Sequence, residues 1–178
     1  MLKEFSKYFE EKDRTMLDGH RKILDVLKQC GRAMRLIHAA RLDDAERELK
    51  AAWQTLQEVP RVWYLKKSII HAEQELVEAQ QLWNIEKGIG PQPLEEVSAE
   101  GFVLGMLDLG TELKRNCLEA LRQGKDGEKY FKLMEEIYEE SLELVFPSQV
   151  LPEFRVKQDR LRYILETCRE MMVRNNVR

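Results

Sequence analysis

Apolar side chains recur along most of this chain at alternating spacings of three and four residues, the period of a helix with one buried face. Glycine and proline cluster between these stretches, and alternating β-branched runs do not occur. The pattern predicts six helices, in chain order: about Leu2–Ala40 with a bend near Cys30–Gly31; Asp43, as N-cap, to before Pro60; Arg61–Lys87; Ala99–Gln123 behind Ser98 as N-cap; Asp126–Val145; and Pro152 to about Arg174. Short connections favour an all-α bundle of six to seven helices, in one domain spanning residues 1–178.

The third and fourth predicted helices each carry a regular core stripe with acidic residues on its flank. The stripe positions are Leu65, Ile69, Ala72, Leu76, Ala79 and Trp83 in the third helix, and Phe102, Met106, Leu109 and Leu113 in the fourth. The residues just before them are Ser68, His71, Glu75, Glu78 and Leu82, and Gly101, Gly105, Asp108 and Glu112, with Arg115 a turn further on. Each helix therefore presents two carboxylates beside its buried face.

A short connection makes these two helices antiparallel neighbours, so that equal flanks face each other. The register then predicts Glu78 opposite Asp108 and Glu75 opposite Glu112, with His71 and Arg115 one turn away; Gly101 and Gly105 leave room for an approaching group. Four carboxylates beside a core repel one another unless a cation joins them, and hard oxygen ligands suit Mg²⁺ or Mn²⁺. Such an ion could orient a phosphodiester and activate water.

Two plainer interpretations of the same acids stay open. A chain with 32 acidic residues produces such spacings on solvated helix faces, and Glu112 could pair with Arg115, or Glu75 with His71. Glu73 lies beside the cluster in sequence but on another helix face. Glu73→Gln is therefore expected to stay active and to serve as a control.

Composition limits the other possibilities. The 29 basic and 32 acidic residues give a net charge of −3, so a nucleic-acid surface would have to be local. The chain has three cysteines, Cys30, Cys117 and Cys168, and no CxxC motif. An odd number of widely spaced cysteines disfavours a disulfide framework or a zinc site and favours a reducing cytoplasm. No signal peptide or run of about 18 apolar residues occurs, so we expect a soluble protein with no membrane partner.

Two segments resemble motifs of one known family. Gln74-Glu75-Leu76-Val77-Glu78-Ala79 resembles the QE[FY]VEA motif of translin-associated factor X (TRAX), and the segment from Gly105 to Arg115 resembles that family's G-x-x-DLxGELxR motif. Gly110-Thr111 stands where the family usually has Thr-Gly, between the acids and not at them. The spacing between the motifs is shorter than in eukaryotic members, as in a compact prokaryotic, archaeal-type relative.

The resemblance to the translin/TRAX family implies a fold, an assembly and an activity. It implies a translin-like α fold that assembles into a closed, hollow homo-oligomer, an octamer, with the acids facing the interior. It also implies that Glu75, Glu78, Asp108 and Glu112 are both the metal ligands and the catalytic residues, with Mg²⁺ as cofactor and Mn²⁺ as a substitute. Single-stranded RNA would be cleaved there.

A basic segment at the start of the third helix is the candidate RNA-binding surface. Arg61, Lys66 and Lys67 are interleaved with Trp63 and Tyr64, a pattern that can hold phosphates and stack bases. We assign His71 and Arg115 to the same role. The alternatives are an ordinary amphipathic helix start with inward-packed aromatics, and an Arg115 that only neutralises acids.

The sequence therefore predicts a metal-dependent endoribonuclease for single-stranded RNA. A non-catalytic translin-type protein that binds single-stranded RNA or DNA is the alternative, and it would not need four crowded acids. A helical scaffold with solvated acidic faces is a third possibility, and it predicts no metal binding.

Overall fold

The computed structural model describes residues 2–176, with side chains through residue 174, and these residues are helical almost throughout. The α-helices are α1 Ser6–His38, α2 Leu42–Gln57, α3 Lys66–Glu86, α4 Ala99–Arg122, α5 Glu128–Leu142 and α6 Glu153–Asn176, with 3-10 turns at Leu2–Phe5 and Trp63–Leu65. Residues 2–176 include no strand. The all-α prediction is confirmed, and α1 continues without interruption through Cys30 and Gly31.

The helix ends differ from the predicted ones where local hydrogen bonding decides them. Ser98 does cap α4, because its hydroxyl accepts the amide N–H of Gly101 at 3.1 Å. Asp43 is not the N-cap of α2; Arg41 takes that position, without a side-chain capping hydrogen bond. Asp43 lies in the first turn, where its charge suits the helix dipole, and it accepts a 2.8 Å hydrogen bond from Lys87.

The third helix begins later than predicted because the chain is extended at Val62 and then forms the 3-10 turn. Arg61 therefore precedes the helix and is not part of it. The fifth helix is also shorter than predicted at both ends, since it begins at Glu128 and stops at Leu142. The carboxylate of Asp126 accepts the Glu128 amide N–H at 2.8 Å, outside the helix.

The chain divides into two compact units, and the boundary lies within α4: one unit reaches Gly101 and the other starts at Phe102. The prediction of a single domain stays a prediction. In the first unit, α1, α2 and α3 pack against one another. The core members are Ile23, Val26, Cys30, Ala33, Leu49, Ala52, Leu56, Val59, Leu65, Ile69, Ala72, Leu76 and Ala79. The predicted α3 stripe is thus confirmed, with Trp83 packed at its edge.

One glycine sets how closely α1 approaches the segment before α3. A Cβ at Gly19 would lie 2.3 Å from Cδ1 of Leu65, which is fully buried. Any larger residue at position 19 would therefore displace a core side chain.

In the second unit the buried face of α4 is only partly the predicted one. Leu109 and Leu113 are buried as expected, but Phe102 and Met106 are half-exposed and Leu104 and Leu107 are buried instead. The remaining large buried side chains of this unit are Tyr130, Phe131, Met134, Ile137, Phe154, Leu161, Ile164 and Leu165. No helix among residues 2–176 is long and apolar enough to cross a membrane.

Gly110, where the second motif departs from the family pattern, has a packing role. A Cβ there would lie 2.4 Å from Cδ1 of Leu161 on α6. Leu161 is fully buried, so a side chain at position 110 would force it out of the core. The glycine is therefore needed one position earlier than in the family motif.

Candidate metal centre and nucleic-acid interface

Glu75 and Glu78 lie one turn apart in the middle of α3, half-buried beside the core residues Leu76 and Val77. Their charge acts on a thiol of α1. Burial first, and the nearby carboxylates of Glu75 and Glu78 second, raise the pKa of Cys30 to about 12. Cys30 is consequently a neutral core side chain, and the acid pair contributes a negative field on this side of α3.

Asp108 and Glu112 lie one turn apart on α4, and both are engaged with basic side chains. The two carboxylate oxygens of Asp108 accept hydrogen bonds from the Lys157 ammonium at 2.8 and 2.6 Å. Both side chains are largely buried, with 15% of Asp108 and 16% of Lys157 exposed. The guanidinium of Arg115 is 3.9 Å from Glu112. Pairing of Glu112 with Arg115 was one of the plainer interpretations, and this distance places it at the limit of an ion pair.

The donor chemistry of these acids fits a hard divalent cation. Among residues 2–176, no group of three or more histidine, cysteine, aspartate or glutamate side chains is arranged to hold a metal ion. Mg²⁺ is often held by one or two carboxylates, waters and substrate phosphates instead of a protein cage, so pairs of acids are sufficient ligands. Asp108 already binds a cation, the ammonium of Lys157, through both oxygens. The four-residue metal site and its predicted register stay predictions.

The predicted RNA-binding residues are all at the surface. Arg61, Lys66, Lys67, His71 and Arg115 are exposed. Lys66 makes a 3.1 Å ion pair with Glu100, and Arg61 makes a 2.5 Å ion pair with Glu73. An exposed ammonium that pairs only with a surface acid can exchange that partner for a phosphate at little cost.

Trp63 is the most exposed aromatic ring of the basic segment, with 78% of its surface accessible. Its ring meets Tyr64 edge-on at 5.6 Å, and the Lys12 ammonium lies 4.8 Å from the Trp63 ring centroid. Tyr64 instead packs partly against the core. The inward-packing interpretation is therefore right for Tyr64 and wrong for Trp63, whose ring is exposed beside positive charge.

Glu73, the intended control, is a fully buried carboxylate with three donors. It accepts hydrogen bonds from the Arg61 guanidinium at 2.5 Å, from the Ser98 amide N–H at 3.2 Å and from the Ser98 hydroxyl. A Cβ at Gly101 would lie 2.6 Å from the Glu73 Cβ. The room expected at Gly101 is thus filled by Glu73, and position 73 cannot serve as a surface control.

Sequence reasoning missed two residues of these networks. Glu73 is buried against Ser98 and Gly101, which follow it by 25 or more residues, so α3 alone carried no signal for its burial. Lys157 comes from α6, 49 residues after Asp108, and no spacing rule connects them. Only the packing of α6 in the second unit brings that ammonium to the carboxylate.

Comparison with known proteins identifies the fold. No protein-family model matches the chain. An uncharacterized protein of Methanocaldococcus jannaschii is 29% identical over 173 residues, covering 89% of this chain and 75% of the relative. The crystal structure of AfC3PO is 29% identical with a TM-score of 0.89, covering 99% of this chain and 97% of that one.

Two further structures agree. AfC3PO in complex with duplex RNA gives 28% identity and a TM-score of 0.89, covering 99% of this chain and 96% of that one. Apo-NeC3PO, at 19% identity with a TM-score of 0.80 and 98% of both chains covered, shows the fold alone. These C3PO structures belong to the translin family and match nearly the whole chain, so the comparisons support a translin/TRAX-like protein with the translin fold.

Proposed function

We propose that this protein is a metal-dependent endoribonuclease that cleaves single-stranded RNA within a homo-oligomeric shell. The observation that carries the proposal is the likeness, over 99% of the chain, to an AfC3PO structure that contains RNA. That likeness supports RNA as the substrate class. The two acid pairs on α3 and α4 support hydrolysis of the phosphodiester, since a purely binding protein has no need for them.

In this proposal Glu75, Glu78, Asp108 and Glu112 hold Mg²⁺, and Mn²⁺ can replace it. When bound, the ion supplies Lewis-acid stabilisation of the phosphate and a water of lowered pKa. Arg115, exposed one turn from Glu112, has the planar fork that binds a phosphate through two hydrogen bonds. Its distance of 3.9 Å from Glu112 leaves those donors available for RNA.

The basic segment is proposed to bind the strand outside the cleavage position. Lys66 and Lys67 supply positive charge at the start of α3, with His71 one turn further along and Arg61 before the helix. Trp63 offers an exposed ring on which a base can stack. Such contacts read phosphates and ring faces, so we expect little sequence preference.

Self-association is part of the proposal. Tyr130, Phe131 and Ile137 of α5 are core residues and are not available to an interface. Exposed apolar side chains occur instead along the first two-thirds of α1 and the turn before it: Leu2, Phe5, Tyr8, Phe9, Leu17 and Leu24. A surface of this kind is typical of interfaces. Light scattering should give a mass well above that of a dimer of 21.1 kDa chains, and an octamer fits the resemblance.

The deciding experiment is incubation of the purified protein with end-labelled RNA in Mg²⁺, in Mn²⁺ and in EDTA. Single-stranded RNA should be cut with either metal and not in EDTA, and a perfect duplex of the same sequence should be cut much more slowly. A flexible strand enters an enclosed site more readily than a stiff duplex. Since one AfC3PO structure is a complex with duplex RNA, binding of both forms must be measured beside cleavage.

Each alternative function has its own outcome in this experiment. Tight binding of single-stranded RNA without cleavage in any metal would identify a non-catalytic translin-type assembly protein. Equal cleavage of strand and duplex would contradict the enclosed site. Absence of both RNA and metal binding would leave a helical scaffold with solvated acids.

A further inference from the structure

Lys157 and Asp108 form an ion pair between two different helices. The ammonium comes from α6, the carboxylate from α4, and the two N–O distances are 2.6 and 2.8 Å. Only 16% of Lys157 and 15% of Asp108 are exposed. A pair this poorly hydrated contributes more than the many exposed surface pairs, because removing the ammonium leaves an Asp108 carboxylate that water cannot fully solvate.

Asp108 cannot bind the ammonium and a divalent cation through the same oxygens without a cost in binding free energy. A metal–oxygen bond for Mg²⁺ is about 2.0–2.1 Å, shorter than either contact to the Lys157 ammonium. Two cations on one carboxylate would repel each other in a site that water screens poorly. The four-carbon stem of lysine allows the ammonium to move away.

We propose that Lys157 is the internal counter-ion of Asp108, which a divalent cation must displace, so that Lys157 sets the metal affinity of the centre. This inference rests on the proposed function, since it takes Asp108 as a metal ligand. Lys157 acts through Asp108 and is therefore a positioning residue. It neutralises Asp108 while the metal is absent, and its displacement weakens metal binding.

The test is a titration of the full-length protein with Mn²⁺ by calorimetry, comparing wild type with Lys157→Met. Removing the competing ammonium should tighten Mn²⁺ binding by about tenfold or more, in line with the coupling of close charge pairs. Without metal, the same variant should melt at a lower temperature, because Asp108 loses its counter-ion. Added Mn²⁺ should raise its melting temperature more than that of wild type.

Three further variants make the result specific. Lys157→Arg keeps a positive charge and should bind Mn²⁺ with nearly the wild-type affinity. Lys132→Met removes an exposed lysine of the same unit and should change neither the affinity nor the metal-free melting temperature. Lys157→Gln is a second neutral variant, used if circular dichroism shows that Lys157→Met does not fold.

The outcomes separate this inference from the proposed function. If wild type binds Mn²⁺ and the neutral variants bind it equally or more weakly, the counter-ion role is overturned while the metal site stands. If neither wild type nor the neutral variants bind Mn²⁺, and EDTA leaves RNA cleavage unchanged, the metal-dependent function fails and the counter-ion role fails with it.

Discussion

Two carboxylates, Glu73 and Asp108, show how differently the protein treats its buried acids. Glu73 is fully buried, and two of its three donors are the backbone amide and the hydroxyl of Ser98, at the start of α4. Asp108 keeps some exposure and binds the ammonium of Lys157, at the end of a long flexible side chain. Backbone donors cannot leave without unfolding the helix start, whereas an ammonium can. The kind of donor therefore separates a structural acid from one whose partner a metal could replace.

The largest expected effect comes from removing the exchangeable acid. Asp108→Asn keeps the side-chain shape but loses the charge that attracts a cation, so RNA cleavage should fall by about a thousandfold or more. RNA binding should persist, and stability should fall by only about 1–2 kcal/mol, because Lys157 can turn towards water. Glu75→Gln and Glu78→Gln should also abolish cleavage and keep RNA binding.

Asp159→Asn is the matched control for that experiment, since it makes the same change at an exposed position of α6 in the same unit. It should cleave at the wild-type rate. Single-turnover cleavage and circular dichroism distinguish the cases. An active Asp108→Asn protein, or one that is inactive only because it has unfolded, would remove the functional difference between Asp108 and Glu73.

The second effect tests the structural acid. Glu73→Gln removes the charge from a fully buried carboxylate and leaves the Arg61 guanidinium without its anion. Because 48% of the Arg61 side chain is exposed, we expect a loss of about 2–3 kcal/mol, below the usual cost of breaking a wholly buried pair. Urea unfolding measures it, with Glu95→Gln on the exposed segment before α4 as control. A Glu73→Gln protein as stable as wild type would contradict the assigned role.

The smallest effect separates two basic residues that the sequence grouped together. Lys67→Gln should weaken binding to single-stranded RNA, reduce the slope of log K against log salt by about one, and leave stability unchanged. Arg61→Gln should instead reduce stability by about 1–2 kcal/mol, because Glu73 then keeps only the donors of Ser98. Fluorescence anisotropy at several salt concentrations and urea unfolding are the two measurements. Equal profiles for the two variants would mean that Arg61 is simply another surface cation.

The sequence by itself determined the helical class, most of the helix positions and the core face of α3. These follow from local rules: a 3.6-residue period selects the buried stripe, and Ser98 caps the following helix because its hydroxyl reaches an amide three residues away. The acids were also found from sequence, because residues one turn apart on a helix necessarily share a face. Resemblance of the two motifs added the family, which the structural comparisons then supported.

The tertiary structure decided which of these residues is already partnered, and how. Glu73 could not be recognised as buried from α3 alone, because its burial depends on Gly101 and Ser98 arriving 25 or more residues later. Lys157 reaches Asp108 across 49 residues, a separation over which no local spacing rule acts. The buried side of α4 includes Leu104 and Leu107 instead of the predicted Phe102 and Met106, because the elements that pack on the helix select which side is buried. Helix periodicity places a side chain on a face, but only packing against other elements determines which neutralising partner it meets.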